Sequence, residues 1–179
     1  MKFKTWRFDM EAAYFSKPKK ISRNNFMGFA LKGLPQDTPS KRYILQEYFI
    51  PYSKLNDFML SLKDIINEHN VNLLNLTARH VPKDSETVLS FAPEDACALV
   101  LYICMPNNET AYQSTTAWTT KAIDAALACN GTFYLPYHTI ATRQQLEAAY
   151  PAFSYFVSCK KQLDPDELFS NRLYECYAN

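Results

Sequence analysis

Glycine is close to missing from this sequence: Gly28, Gly33 and Gly131 are the only three in 179 residues. A turn that brings backbone N–H groups up to a pyrophosphate needs several glycines close together. No segment meets that need, so the chain is not expected to hold a nucleotide cofactor by itself. An excess of charge of one sign is missing too. Nineteen Lys and Arg stand against eighteen Asp and Glu, which leaves no field to attract nucleic acid or an anionic membrane surface. The one basic cluster, Lys17, Lys19 and Lys20 around Pro18, reads as a solvated loop. Five cysteines (Cys97, Cys104, Cys129, Cys159 and Cys176) are odd in number and scattered, with no C-x-x-C pair and no Cys/His group at metal-ligand spacing. They read as reduced thiols of a cytoplasmic protein without a metal site. Long apolar runs are missing as well. The start, MKFKTWRFDM, has no apolar signal core, and the longest apolar stretch, residues 96–105, is about half a bilayer span. A soluble protein without a transmembrane segment is expected.

What is there is aromatic and apolar. Twelve Tyr, twelve Phe and 47% hydrophobic residues supply ample material for one core. Residues 1–40 are irregular and read as an arm that packs on something else. Order rises after Lys41. Residues 42–50, RYILQEYFI, form a β-branched and aromatic strand ending at Pro51. Ser53 is placed to cap a helix whose stripe is Leu55, Phe58, Met59, Leu62, Ile65 and Ile66. Residues 71–81 alternate as a second strand, with Leu74, Leu76 and Ala78 on one face and Asn75, Thr77 and Arg79 on the other. A polar loop over 82–86 and a short extended piece lead to the apolar strand 96–105. Asn108 then caps a long helix that ends at Gly131 as its C′ residue. Residues 132–135 make a fourth short strand.

Strand–helix–strand–strand–helix–strand predicts an α+β domain over 41–137. Its ferredoxin-like βαββαβ antiparallel sheet carries both helices on one face and leaves the other free for a ligand or partner. Residues 138–179 read as a helical segment. Thr142 and Gln145 form a capping box, and Asp164-Pro165-x-Glu167 reads as a helix start.

Candidate chemistry sits in the strands. Glu47 lies in an apolar run, where a buried carboxylate needs a partner. It either points outward or pairs with Arg79, or it faces a cleft with Gln46 or Arg79 nearby. Neighbours in a strand face opposite sides, so Arg79 shares the face of Asn75 and Thr77 as an oxyanion anchor, while His80 is structural. Residues 132–138, TFYLPYH, bring Tyr134 and Tyr137 to the exit of the fourth strand as proton donors or as walls for a flat ring.

As a set, LQEYFIP (45–51), NLTARH (75–80), AWTTKAIDAAL (117–127), GTFYLPY (131–137) with ATRQQLEAAYP (141–151), and DPDELFSN (164–171) resemble a known family. They are similar to the C-terminal region of FAD-linked oxidases of the vanillyl-alcohol oxidase type, closest to bacterial FAD/FMN-containing dehydrogenases. The resemblance runs from about Trp6 to Tyr174. It implies a two-part enzyme in which a flavin domain holds FAD and a cap domain shapes the pocket for an alcohol, polyol or sugar lactone. It also implies catalytic roles for Glu47 and Tyr134, and substrate contacts from Arg79, Thr77, Tyr137 and Gln46. Tyr134 and Asn171 would lie toward the cofactor. Some relatives carry a substrate-contacting lysine at the position of Tyr137, a departure that leaves the substrate open.

The flavin domain has no counterpart in this sequence. The resemblance therefore implies a cap that is inactive alone, partnered by a flavin domain in a missing N-terminal part or in a separate chain. Self-association through the exposed face is then expected. The alternative is a non-catalytic ferredoxin-like binding module derived from the same family.

Overall fold

The computed structural model describes residues 37–178 and, ahead of them, only residues 13, 16, 20 and 22. The chain divides into two units, Met1–Gln36 and Asp37–Asn179. The arm expected over 1–40 lies almost wholly outside the described residues, and the second unit carries the entire sheet.

The elements of that unit are β1 (Lys41–Pro51), a 3-10 turn (Tyr52–Lys54), α1 (Leu55–Glu68), β2 (Leu73–Val81), β3 (Ala96–Pro106), α2 (Glu109–Ala128), β4 (Thr132–Phe133), α3 (Arg143–Ala149), α4 (Phe153–Leu163) and α5 (Arg172–Tyr177). The four strands form one antiparallel sheet in the order β2-β3-β1-β4. That is the ferredoxin-like arrangement expected from the element order. β1 and β3 pair along their whole length, from Lys41 opposite Pro106 to Pro51 opposite Ala96. Their central position explains why both are buried on two faces, while β2, at the edge, is largely half-buried or exposed.

Ile44, Tyr48 and Ile50 of β1 and Leu99, Leu101 and Ile103 of β3 face the helices. There they meet Phe58 and Leu62 of α1 and Trp118, Ala122 and Ile123 of α2. Each fully buried large side chain among them contributes about 1.5–3 kcal/mol. Among the described residues no helix is long and apolar enough to cross a membrane.

Scarce glycine leaves its mark on how the helices stop. α1 and α2 both end with an asparagine in the left-handed region, Asn70 at φ 50° and Asn130 at φ 56°. In each case the next residue's N–H returns to the helix, from Val71 to the Ile66 carbonyl at 3.0 Å and from Gly131 to the Ala126 carbonyl at 2.8 Å. This is the Schellman stop with asparagine at C′, one of the few residues that tolerate αL. The expectation that Gly131 holds C′ is therefore corrected by one position. Gly131 is required for a different reason. A Cβ there would lie 2.5 Å from Ile50 Cδ1 and 2.7 Å from the Phe49 carbonyl oxygen.

Two other helix starts differ from expectation. Ser53 caps nothing, because the 3-10 turn runs straight into α1, whose N-cap Lys54 makes no side-chain bond. No helix begins at Asp164-Pro165. The Asp164 carboxylate instead accepts the N–H groups of Leu168 (2.9 Å) and Phe169 (3.0 Å), and Glu167 sits at φ 50°, which breaks a helical run. The capping box of Thr142 and Gln145 forms as expected. Asn108 caps α2 by accepting from Ala111 N at 2.8 Å.

Residues 138–178 share the core of the sheet. Leu146, Tyr150, Phe153 and Tyr177 belong to the same apolar cluster as Trp118 and Phe133. Polar groups fasten the junction: Gln145 Nε2 donates to the Thr120 carbonyl at 3.0 Å, Tyr150 to the Phe133 carbonyl, and Tyr177 to the Ala141 carbonyl at 2.6 Å.

Candidate functional site

The face of the sheet turned away from the helices carries the polar side chains. Strand register sets them in rows. Leu45, Tyr102 and Asn75 form one, Glu47, Val100 and Thr77 the next, and Phe49, Ala98 and Arg79 the third. Glu47 and Arg79 thus stand on opposite sides of β3, one row apart, with only Val100 and Ala98 between them. From the other side the chain leaving β4 brings two tyrosines. Tyr134 N donates to the Glu47 carbonyl at 2.9 Å, and the Tyr134 and Tyr137 rings meet edge-on at 4.7 Å. The Tyr137 hydroxyl approaches the Glu47 carboxylate and lowers its pKa.

Glu47 is only 8% exposed. Burial raises its pKa above the usual carboxylate value, against the smaller opposing effects of the Arg79 charge and the Tyr137 hydrogen bond. Tyr137 is pushed up as well, by burial first and then by the neighbouring Glu47 charge. The arrangement is a carboxyl of raised basicity, a phenol and a guanidinium converging on one face. Such a group can take a proton from a hydroxyl and bind a polyhydroxylated molecule.

The face is not free along its length, as the sequence reading had it. Ala96, Ala98 and Phe49 are buried although they lie on this side. What covers them is the connection between β2 and β3, which lays Phe91 and Ala92 over the sheet. Phe91 stacks on Phe49 at 5.0 Å and meets Tyr134 edge-on at 5.6 Å. Phe91 was not among the residues singled out from sequence. One signal was available: Ala96 and Ala98 alternate on one side of a strand that is otherwise bulky, which calls for something packed close against them.

Of the residues expected at the site, Glu47, Thr77, Arg79, Tyr134 and Tyr137 come together on this face. Gln46 does not. Alternation turns it toward the helices, where it is buried and its Nε2 atom has no hydrogen-bond partner. Asn171 is the N-cap of α5, with its side-chain oxygen accepting from Tyr174 N at 2.9 Å. His80 lies at the β2 edge, its Nδ1 2.8 Å from the Tyr52 hydroxyl.

The described residues do not fit the phosphate half of a flavin dinucleotide. Asn108, Thr142 and Asn171 close the N-termini of α2, α3 and α5 with their own side chains. Gly131, which alone among the glycines lies in the described region, is packed against Ile50. Among the described residues no group of three or more His, Cys, Asp or Glu is placed to hold a metal ion.

The family model described as D-arabinono-1,4-lactone oxidase aligns with residues 9–177. No curated protein matches the chain significantly.

Proposed function

The chain belongs to the D-arabinono-1,4-lactone oxidase family, a C-terminal domain of FAD-linked oxidases, and from that premise we propose that it is the substrate cap of such an enzyme. Its substrate is a sugar lactone, polyol or other alcohol oxidised at a CH–OH group, and FAD is held by a separate domain. The observation that carries this reading is Glu47, a nearly buried carboxyl on the helix-free face whose pKa feels both the Arg79 charge and the Tyr137 hydroxyl.

FAD, bound by its own domain, supplies the oxidant for the substrate C–H bond. The rest of the work falls to this chain. Glu47 accepts the hydroxyl proton as the C–O bond gains double-bond character, and its raised basicity suits that task. The Tyr137 hydrogen bond and the Arg79 charge keep the carboxylate oriented. Arg79 and Thr77 hold oxygens flanking the reacting carbon, and the Tyr134 ring walls the site on the β4 side.

The C-terminal segment offers a surface for the flavin-binding partner. Leu163, Leu168 and Phe169 are 87%, 78% and 80% exposed. Leu163 and Phe169, with Phe156, Cys159 and Tyr174 and the polar side chains of Lys160 and Asp164, line a cavity of about 460 Å³. An exposed apolar patch of this kind marks a protein contact. It also supports self-association when the partner is missing, and fits the alternative of a non-catalytic interaction module. A cytoplasmic location agrees with the five unpaired cysteines.

The test is to combine the full-length chain with the flavin domain of another family member under anaerobic conditions and add lactones and polyols. Substrate-dependent bleaching of the flavin absorbance, lost in Glu47→Gln, is expected. Absence of bleaching with every lactone, polyol and alcohol tried would favour the interaction module instead.

A further inference from the structure

Loop 82–95 does more than connect β2 to β3. It is cross-tied within itself: Asp84 N donates to the Ala92 carbonyl at 2.8 Å, Ser90 Oγ to the Asp84 carbonyl at 2.9 Å, and Lys83 N to Asp95 Oδ1 at 2.8 Å. The Asp84 carboxylate also takes the N–H groups of Glu86 and Thr87 and the Thr87 hydroxyl. A loop so tied holds its shape, and this one crosses the sheet. Thr132 Oγ1 on β4 donates to the Phe91 carbonyl at 2.5 Å.

The consequence is that one end of the helix-free face is covered. Phe49 and Glu47 are two residues apart on the same side of β1, about 7 Å along the strand. Phe91 lies on Phe49 with its own side chain only half-buried, while in the row on the other side of Glu47 Asn75 is exposed and Leu45 and Tyr102 are half-buried. We propose that Phe91 is a specificity-determining residue. It limits the bulk a substrate can carry on the Phe49 side of the group held at Glu47, so that a compact hydroxylated ring enters with that edge unsubstituted. This rests on the reading of the helix-free face as a substrate site.

The experiment titrates the full-length chain with D-arabinono-1,4-lactone and with mono-O-benzyl derivatives carrying the benzyl group at each ring or side-chain oxygen in turn, followed by amide and ring NMR. The unsubstituted lactone is expected to shift the signals of Glu47, Arg79 and Tyr134. At least one benzyl isomer should bind about tenfold more weakly than the parent lactone. Phe91→Ala should bring that isomer within about threefold of the parent, while Phe91→Tyr keeps the discrimination. Unchanged signals from Leu101 and Trp118 show that the variants are folded. If the lactone binds and Phe91→Ala leaves every ratio where it was, the role of Phe91 is overturned and the substrate site stands. If the parent lactone shifts no signal on this face, the substrate site falls, and the role of Phe91 with it.

Discussion

Thr132, on the two-residue edge strand β4, donates a 2.5 Å hydrogen bond to the carbonyl of Phe91, 41 residues earlier in the chain. The loop that carries Phe91 leaves β2 and enters β3, on the far side of β1 from β4. This single bond therefore spans the sheet and pins the loop over Phe49, Ala96 and Ala98.

Removing that donor while keeping the side-chain shape tests the pin. Thr132→Val should cost about 1 kcal/mol in a denaturant melt. It should also speed amide exchange across residues 84–92 without affecting β3. Unaltered exchange in the loop would show that apolar contact alone holds it.

The Glu47 carboxyl gives a pH signature. Its folded pKa lies above the ordinary 4.5, by burial. Between those two values the folded chain binds more protons than the unfolded one, so stability falls as pH rises through that window. Glu47→Gln should remove this fall and be at least as stable as the parent at pH 7, while abolishing flavin bleaching in the reconstituted enzyme. Arg79→Gln deletes a lowering influence and should move the Glu47 titration further upward, read by carboxyl-carbon NMR. A downward or unchanged titration would separate Arg79 from Glu47.

The stop of α2 separates two kinds of small-residue requirement. Gly131→Ala forces a Cβ against Ile50 Cδ1 and the Phe49 carbonyl and should cost about 1–3 kcal/mol. Asn130→Gly relieves an αL asparagine at φ 56° and should change stability by less than about 1 kcal/mol. Equal penalties at the two positions in thermal melts would contradict this assignment.

The junction between the sheet and the C-terminal helices hangs on Tyr150. Its hydroxyl donates to the Phe133 carbonyl inside the core, and burial pushes its pKa well above the usual phenol range. Tyr150→Phe leaves that carbonyl unpaired and should destabilise the chain by about 1–3 kcal/mol in urea unfolding. A neutral effect would mean that the aromatic contacts of Phe133 and Phe153 alone hold the junction.

The strands and the two long helices were legible because their signals are periodic. The stripe of Phe58 and Leu62 faces the core, and the alternation of Asn75, Thr77 and Arg79 put those three on one side of β2. At the start of that strand the alternation slips, because a bulge lies between Leu73 and Asn75, and no local pattern announces it. The capping box at Thr142 was readable since both halves lie within four residues. Ser53 and Asp164 carry the same local chemistry, yet Ser53 lies inside a 3-10 turn and the Asp164 carboxylate takes N–H groups of a turn instead.

By itself, the sequence determined the order of strands and helices, the lack of a glycine-rich phosphate cradle, and the alternation that separates Glu47 from Gln46. These depend on neighbouring residues and on backbone geometry with a fixed repeat. Only the tertiary structure decided that Glu47, Arg79 and Tyr137 converge, and that the free face is closed at one end by Phe91. Both rest on pairings between residues 32 to 90 positions apart, set by how β1, β2, β3 and β4 register and by a loop bond across the sheet. Pairings at that range leave no trace in local pattern, because the partner's position is set by the packing of the elements between.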